Sequence, residues 1–495
     1  MPQAIQNNRP KWLNHVLGLT PWILCLWVPY PALAQLDKSQ TGPSVELPAG
    51  AEQITAGKVT ATISFLASDE LAGRETNSKE FEIAAAYVAA RFRGAGLEGG
   101  GPEGSFYHET VVGQSRVPSD AVLLQADNTP IAHYGLISTS DQACELTGPV
   151  MDVSLDALAA PDAEVKGLRG IVRGKLETQA KGSRAIGQLN RLAQKLEAAG
   201  VKALLLDCEP QSEWAKQAEL ARSKPKLLGN DRPGIPILLV PSSVKLGGEV
   251  KLTASGMINE DKRMRNVIGL LRGSDETLQK QAVLYSAHLD HLGSNPALAD
   301  DSIYNGADDD ASGVTAVVTL ADAIGAMKQR PKRSVLFMTF WGEESGLLGS
   351  KQFVSTPSWP LDQIVANVNI EMIGRPEGGA RGKIWMTGWR ESDLGSVMSQ
   401  AAKPWGVEIF EHPKFSSMLY RASDNWSFVE RGVIAHSFSA GSLHPDYHKV
   451  DDEWDRLEIP HMTQVIQGLF LGSLPLLDGS QTPAKASSNT AKESK

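Results

Sequence analysis

Three cysteines in 495 residues are too few for a disulfide scaffold or a cysteine-built zinc ribbon. One of them, Cys25, lies in an N-terminal apolar stretch, leaving Cys144 and Cys208 for the rest of the chain. A disulfide between those two and a pair of buried thiols both remain open, because spacing alone decides neither. Dense Lys/Arg runs are also missing and the formal net charge is −9, so no basic surface for nucleic acid is expected. Beyond the N-terminal stretch no apolar run reaches spanning length, and no stable membrane span is expected once a leader is cleaved. The G-x-S-x-G elbow of serine hydrolases and the helical H-E-x-x-H zinc motif do not occur either.

What is present begins with a leader. Arg9 and Lys11 precede an apolar stretch from Val16 to Val28, and Ala32-Leu33-Ala34 offers a small-x-small cleavage site. Residues 1–34 therefore read as a signal peptide cleaved after Ala34, and the mature protein is expected to be periplasmic or secreted. Residues 35–50 read as a linker. A chain this long favours more than one domain.

Helical periodicity recurs from Ile54 to Leu66 and from Lys79 to Phe92, within an N-terminal catalytic part spanning 51–115. Residues 116–261 change character, with short strand-like runs around one clear helix, Arg184 to Ala199, and read as an inserted domain. From 262 to 477 strands alternate with helices: Ala282–Ala287, Ser334–Phe340, Ile364–Ile370 and Val433–Ser437 are the strands, and Gly313–Met327 is a helix. That alternation predicts an α/β fold with a twisted, largely parallel sheet flanked by helices, beside a smaller, β-rich inserted domain. Residues 478–495 read as a disordered tail.

The chemistry gathers where the strands end. The first runs into Ala-His288-Leu-Asp290-His291, the second into Trp-Gly-Glu343-Glu344-Ser, and the third into Glu371-Met-Ile-Gly. Asn-Gly-Ala-Asp308-Asp309-Asp310-Ala-Ser-Gly opens a helix between the first two, and Asp446-Tyr447-His448-Lys-Val-Asp451-Asp452 comes later. Sites in open α/β sheets form beyond the carboxyl ends of the strands, so these groups should converge. A lone histidine is more often structural, and an acidic run can simply cap a helix. Five acid-or-imidazole elements in succession point instead to a hydrolytic metal site with no thiolate, which suits zinc and leaves manganese and cobalt open.

These motifs, with the lead-in Arg265-Asn266-Val267-Ile268-Gly269, resemble those of the co-catalytic two-zinc aminopeptidases. That family contains bacterial leucyl aminopeptidases, aminopeptidase Y and glutamate carboxypeptidase II. The inserted segment is more loosely similar to a protease-associated domain. The resemblance implies two Zn2+ per chain, with His288 and Glu371 on one metal, Glu344 and His448 on the other, and Asp309 bridging both. It implies Glu343 as the general base acting on a water shared by the metals, and peptide or protein N-termini as substrate. Asp290 would accept a hydrogen bond from His288, and Tyr447 would donate one to the developing oxyanion. Two departures stand out: Glu371 occupies a position where the family often has Asp, and Asn425 one where many relatives have His. A glutaminyl cyclase, a carboxypeptidase of the same family and a metal-free receptor ectodomain are the competing readings.

Overall fold

The computed structural model describes residues 47–486 apart from 119–121, 161, 224–225, 228–232, 296–297, 299, 377–380 and 442. The expected leader, residues 35–46 of the linker and the end of the tail lie outside the described residues.

A ten-stranded sheet organises the molecule, and its centre is parallel. Ala282–His288 runs between Ser334–Phe340 and Ile364–Ile370, and Ala435–Ser439 continues the sheet beyond the latter. Every residue of the first three strands is buried or nearly so. Their largely apolar sequences, interrupted by Ser286, Thr339, Asn367 and Asn369, reflect burial on both faces rather than on one. Val283, Tyr285 and Ala287 face a core built with the helices Ala56–Leu66, Lys79–Gly94, Gly313–Gly325 and Ile459–Leu477. Ala282 and Leu284 face a second core containing Phe353 and Phe428. The margins are antiparallel: Ile258–Leu271 pairs with Ser334–Phe340 on one side, and Ile384–Met386 pairs with Ala435–Ser439 on the other. The sheet is thus parallel where the expected site lies and antiparallel beyond it.

Tyr107–Arg116 pairs with Ile258–Leu271 from Tyr107↔Val267 to Arg116↔Ile258. The chain between these two strands forms two further sheets. The mainly parallel one joins Gly135–Ser138, Ile237–Pro241, Val201–Cys208, Gly170–Lys175 and Val150–Asp152. Leu189, Leu192 and Leu196 of the helix Gly182–Ala198 pack on one of its faces, with Val172, Leu204 and Leu239. Its other face meets an antiparallel four-stranded sheet through Leu205, Leu238 and Leu252. Cys144 and Cys208 are both free thiols.

One expectation is corrected. Residues 478–486, read as the start of a disordered tail, are held against the body built on the large sheet. Arg333 donates to the carbonyls of Leu476 and Gln481 at 2.8 and 2.7 Å and to the Thr482 hydroxyl. The Ala484 and Ala486 amides donate to the Asp393 carboxylate and the Glu391 carbonyl at 2.7 and 2.9 Å. Composition concealed this, because the backbone of the segment, rather than its small polar side chains, makes most of these bonds.

Candidate metal centre

His288 ends the strand Ala282–His288, Glu343 and Glu344 follow Ser334–Phe340, and Glu371 follows Ile364–Ile370. Asp309 lies in the turn ahead of the helix Gly313–Gly325, and His448 beyond Ala435–Ser439. All of them lie past carboxyl ends of parallel strands, where the chain turns away from the ladder and its side chains can face a common space.

Asp309 stands between two sets of groups. Its Oδ1 lies 3.1 Å from His288 Nε2, which is 3.6 Å from Glu371 Oε2. Its Oδ2 lies 3.0 Å from His448 Nε2, which is 3.4 Å from Glu344 Oε2. Two triads have their ligand atoms within 4.8 Å of one another: His288, Asp309 and Glu371, and His291, Asp309 and Glu344. The fold thus brings the five expected ligands together and adds one histidine, His291, for which no role was expected.

The donor set passes a physical test for a cation. Asp309 Oδ2, Glu344 Oε1, His448 Nε2 and both His291 ring nitrogens are buried without a hydrogen bond. Buried polar atoms are otherwise almost always paired, and lone pairs crowded together repel unless positive charge lies among them. The negative charge of the cluster is visible in His448. Burial disfavours its charged ring, yet the Asp309 and Glu344 carboxylates beside it push its pKa up to about 10. Carboxylate and imidazole donors without a thiolate suit zinc.

The three consecutive aspartates divide their work. Asp308 Oδ1 accepts the Gly374 amide at 2.6 Å. Asp310 accepts the amides of Gly313, Met372 and His288 at 3.0, 3.2 and 3.3 Å. These two tie the loops together, which leaves Asp309 to face the site. Asp452, fully buried, accepts the amides of both Asp308 and Asp309 at 3.0 and 3.1 Å.

Asp290 differs from its expected role. The His288 Nδ1 partner is the Asp290 carbonyl at 3.0 Å, while its carboxylate is 3.8 Å away. The carboxylate instead accepts the Glu343 amide at 3.1 Å and the Thr76 hydroxyl at 2.7 Å. The carbonyl already fixes the His288 tautomer, so the acid is free to anchor the backbone of Glu343. Glu343 lines a cavity of about 100 Å³ together with His288, Asp309, Glu371, Tyr447 and His448. Its carboxyl is held well above the usual range, mainly by burial; His288 opposes this, and Asp424, Glu371 and Glu344 reinforce it. Tyr447 stacks on the His448 ring, with centroids 3.9 Å apart and planes at 20°. Burial, and then the carboxylates around it, raise its hydroxyl pKa and keep it a donor.

Glu371, longer by one methylene than the family's frequent Asp, accepts from Asn369 at 2.9 Å and from the Ser423 hydroxyl. Ala422 and Ser423 line the cavity, whereas Asn425 is turned to the Tyr420 carbonyl and the Ser437 hydroxyl, both at 3.0 Å.

Arg74 was also missed. This guanidinium, 1% exposed, donates to the carbonyls of Leu289, Asn305 and Gly306 at 2.9, 2.7 and 3.0 Å, and to that of Leu66. It therefore joins the loop carrying His288 to the loop carrying Asp309. Its only sequence signal is a charged residue in a turn at Leu71-Ala72-Gly73-Arg74.

Residues 266–470 match the model described as Peptidase family M28. The matched region, about two-fifths of the chain, carries all five expected ligands, and the chain is a zinc metallopeptidase similar to that family. Aminopeptidase YwaD of Bacillus subtilis (strain 168) is 23% identical over 363 residues, 69% of this chain and 68% of that protein. A probable zinc metalloprotease of Pyrenophora teres f. teres is 34% identical over 108 residues, 22% of each chain. The structure of BSAP, a zinc aminopeptidase from Bacillus subtilis, has a TM-score of 0.55 at 18% identity, covering 88% of this chain and 97% of that one. An aminopeptidase from Aneurinibacillus sp. strain AM-1 has a TM-score of 0.52 at 18% identity, covering 86% and 94%. At such identities the two structures share a fold with this chain.

Proposed function

We propose that the protein is an exported aminopeptidase that removes N-terminal residues from peptides with two zinc ions. The observation that carries this reading is the pair of ligand triads that share Asp309, with buried atoms lacking hydrogen bonds on the Glu344 and His448 side. His288, Asp309 and Glu371 would hold one metal, and Asp309, Glu344 and His448 the other. When bound, zinc supplies Lewis acidity toward the peptide carbonyl and lowers the pKa of water to near neutrality.

The protein's own groups do the rest. Glu343, on the cavity wall and next in sequence to the ligand Glu344, takes the proton of the attacking water and delivers it to the leaving nitrogen. Asp290 fixes the Glu343 backbone, and Tyr447 remains protonated at the cavity wall to donate to the oxyanion. Met372, Trp385, Leu419 and Leu443 give the cavity an apolar side, and its described lining has no Lys or Arg. That lining and a volume of about 100 Å³ suit one neutral, apolar side chain. The leader over 1–34 supports export, and among the described residues no helix is long and apolar enough to cross a membrane. Residues 116–261 are read as a protease-associated-like domain that limits access or shapes selectivity without supplying metal ligands.

Metal content and turnover of an aminoacyl anilide panel, measured together, test this reading. Chelation is expected to abolish activity and zinc to restore it at two ions per chain, with apolar residues preferred over acidic ones. Fully active protein holding a single metal would remove the two-metal reading.

A further inference from the structure

His291 is the buried imidazole that the proposed mechanism leaves unused. Its ring is 1% exposed. Its amide donates to the Arg74 carbonyl at 3.2 Å, and the ring edge faces His448 with centroids 5.7 Å apart. Gly306 makes room for it: a Cβ there would come within 2.4 Å of the ring, and the glycine also has φ +56°. The ring is therefore fixed in place by its surroundings.

Its Nδ1 lies 2.8 Å from Glu344 Oε1 and 3.9 Å from Asp309 Oδ2. The shorter separation is one at which a hydrogen bond forms if the groups are aligned, yet all three atoms lack one. Two buried polar atoms 2.8 Å apart with no hydrogen bond between them is an arrangement that a cation explains. Glu344 completes the picture, offering Oε1 to His291 and Oε2 to His448, 3.4 Å from its Nε2.

We propose that His291 is a fourth protein ligand of the metal held by Asp309, Glu344 and His448. The inference rests on the two-metal reading above and makes the two positions unequal. One has two imidazoles and two carboxylates from the protein; the other, at His288, Asp309 and Glu371, has three groups in all. The four-ligand position is then the tighter one, and the three-ligand position keeps the more open coordination.

Two measurements on the full-length zinc-loaded protein test this. In crystals, anomalous diffraction at the zinc edge should place an ion about 2.0–2.1 Å from His291 Nδ1, the ordinary zinc–imidazole distance. In solution, stripped protein is titrated with zinc against a chromophoric chelator. His291→Ala should weaken one of the two dissociation constants by more than ~100-fold, beyond the roughly 10–100-fold cost of losing a group that only orients a ligand. The other constant should stay within about 3-fold of the parent, since its ligands are untouched. Two bound zinc ions with His291 Nδ1 hydrogen-bonded to Glu344 and outside bonding distance would overturn the proposal and leave the two-metal reading intact. Absence of a second zinc would instead remove the reading on which it rests. The crystal measurement uses the parent protein and so does not depend on the variant folding.

Discussion

In the inserted sheets Arg173 lies 2.7 Å from Asp207, the Trp214 indole donates to the Leu176 carbonyl at 2.8 Å, and the Thr139 hydroxyl donates to the Ser255 carbonyl at 3.0 Å. Each of these polar groups has an internal partner. At the strand ends of the large sheet the same account does not close: Asp309, Glu344, His291 and His448 carry buried atoms without hydrogen bonds, and both oxygens of the fully buried Asp424 do too. Burial in both regions is deep, so exposure does not distinguish them. What differs is clustering: Ser138 Oγ in the inserted sheets also lacks a hydrogen bond, but at the strand ends such atoms gather around Asp309. A single unpaired group is compatible with folding unaided, whereas a cluster of them requires something from outside.

The sharpest way to break this comparison is at Glu343. Glu343→Gln keeps the side-chain size and removes the basic carboxylate. It should lower turnover by roughly 10²–10⁴-fold, the usual worth of a general base. Zinc content should stay at the parental level, because Glu343 is assigned to no metal. Glu344→Gln should do the reverse first and release one zinc, since a neutral amide is a poor substitute for an anionic oxygen. Near-parental turnover in fully metallated Glu343→Gln would reduce that carboxylate to a solvated acid at a strand end and end the mechanism.

A smaller effect, on metal affinity rather than chemistry, is expected at Arg74. Arg74→Met removes every side-chain hydrogen bond to the Leu66, Leu289, Asn305 and Gly306 carbonyls, and leaves the surrounding aspartates without a buried cation. Zinc affinity should fall by about 10–100-fold, as for other groups that orient ligands without touching the metal. Arg74→Lys should fall between, because one ammonium keeps the charge but cannot span four acceptors. Zinc titration of both variants decides this: parental affinity in Arg74→Met would make the residue a structural tie and nothing more.

The contrast between Asp309 and Arg74 also explains what could be read from the sequence. Asp309, Glu344 and Glu371 were legible because short apolar runs mark strands, and acids just past strand ends are local features. The resemblance then assigned each a metal. Arg74 was not legible, since its partners lie up to 232 residues away and all are carbonyls, which side-chain identity does not encode. His291 was quoted within its motif, but only the ring's placement against Gly306 turns it toward Glu344. Asp290 shows the limit from the other side: its carboxylate was expected to meet His288, and its carbonyl does so instead. The parallel centre of the sheet followed from strand–helix alternation, whereas its antiparallel margins depend on pairings between strands distant in sequence.

The smallest expected effect lies in the inserted sheets and sharpens the comparison by its confinement. Arg173 and Asp207 sit on neighbouring strands with side chains 9% and 20% exposed. Arg173→Met leaves Asp207 without its partner in a largely apolar setting. Breaking a fully buried pair costs about 3–5 kcal/mol, and partial exposure of Asp207 should hold the loss to about 1–3 kcal/mol of stability. Adding Asp207→Leu removes the stranded charge and should recover most of that loss, because an apolar pair of similar volume is often neutral or better. Neither variant should move zinc content, and kcat/KM on an aminoacyl anilide should stay within about twofold, as expected for a site remote from the change. Thermal unfolding of the single and double variants, beside zinc content and turnover, measures all three quantities. A large fall in turnover with stability and metal unchanged would mean that the inserted sheets act on the reaction itself, and the division between a region that only folds and one that does chemistry would no longer hold.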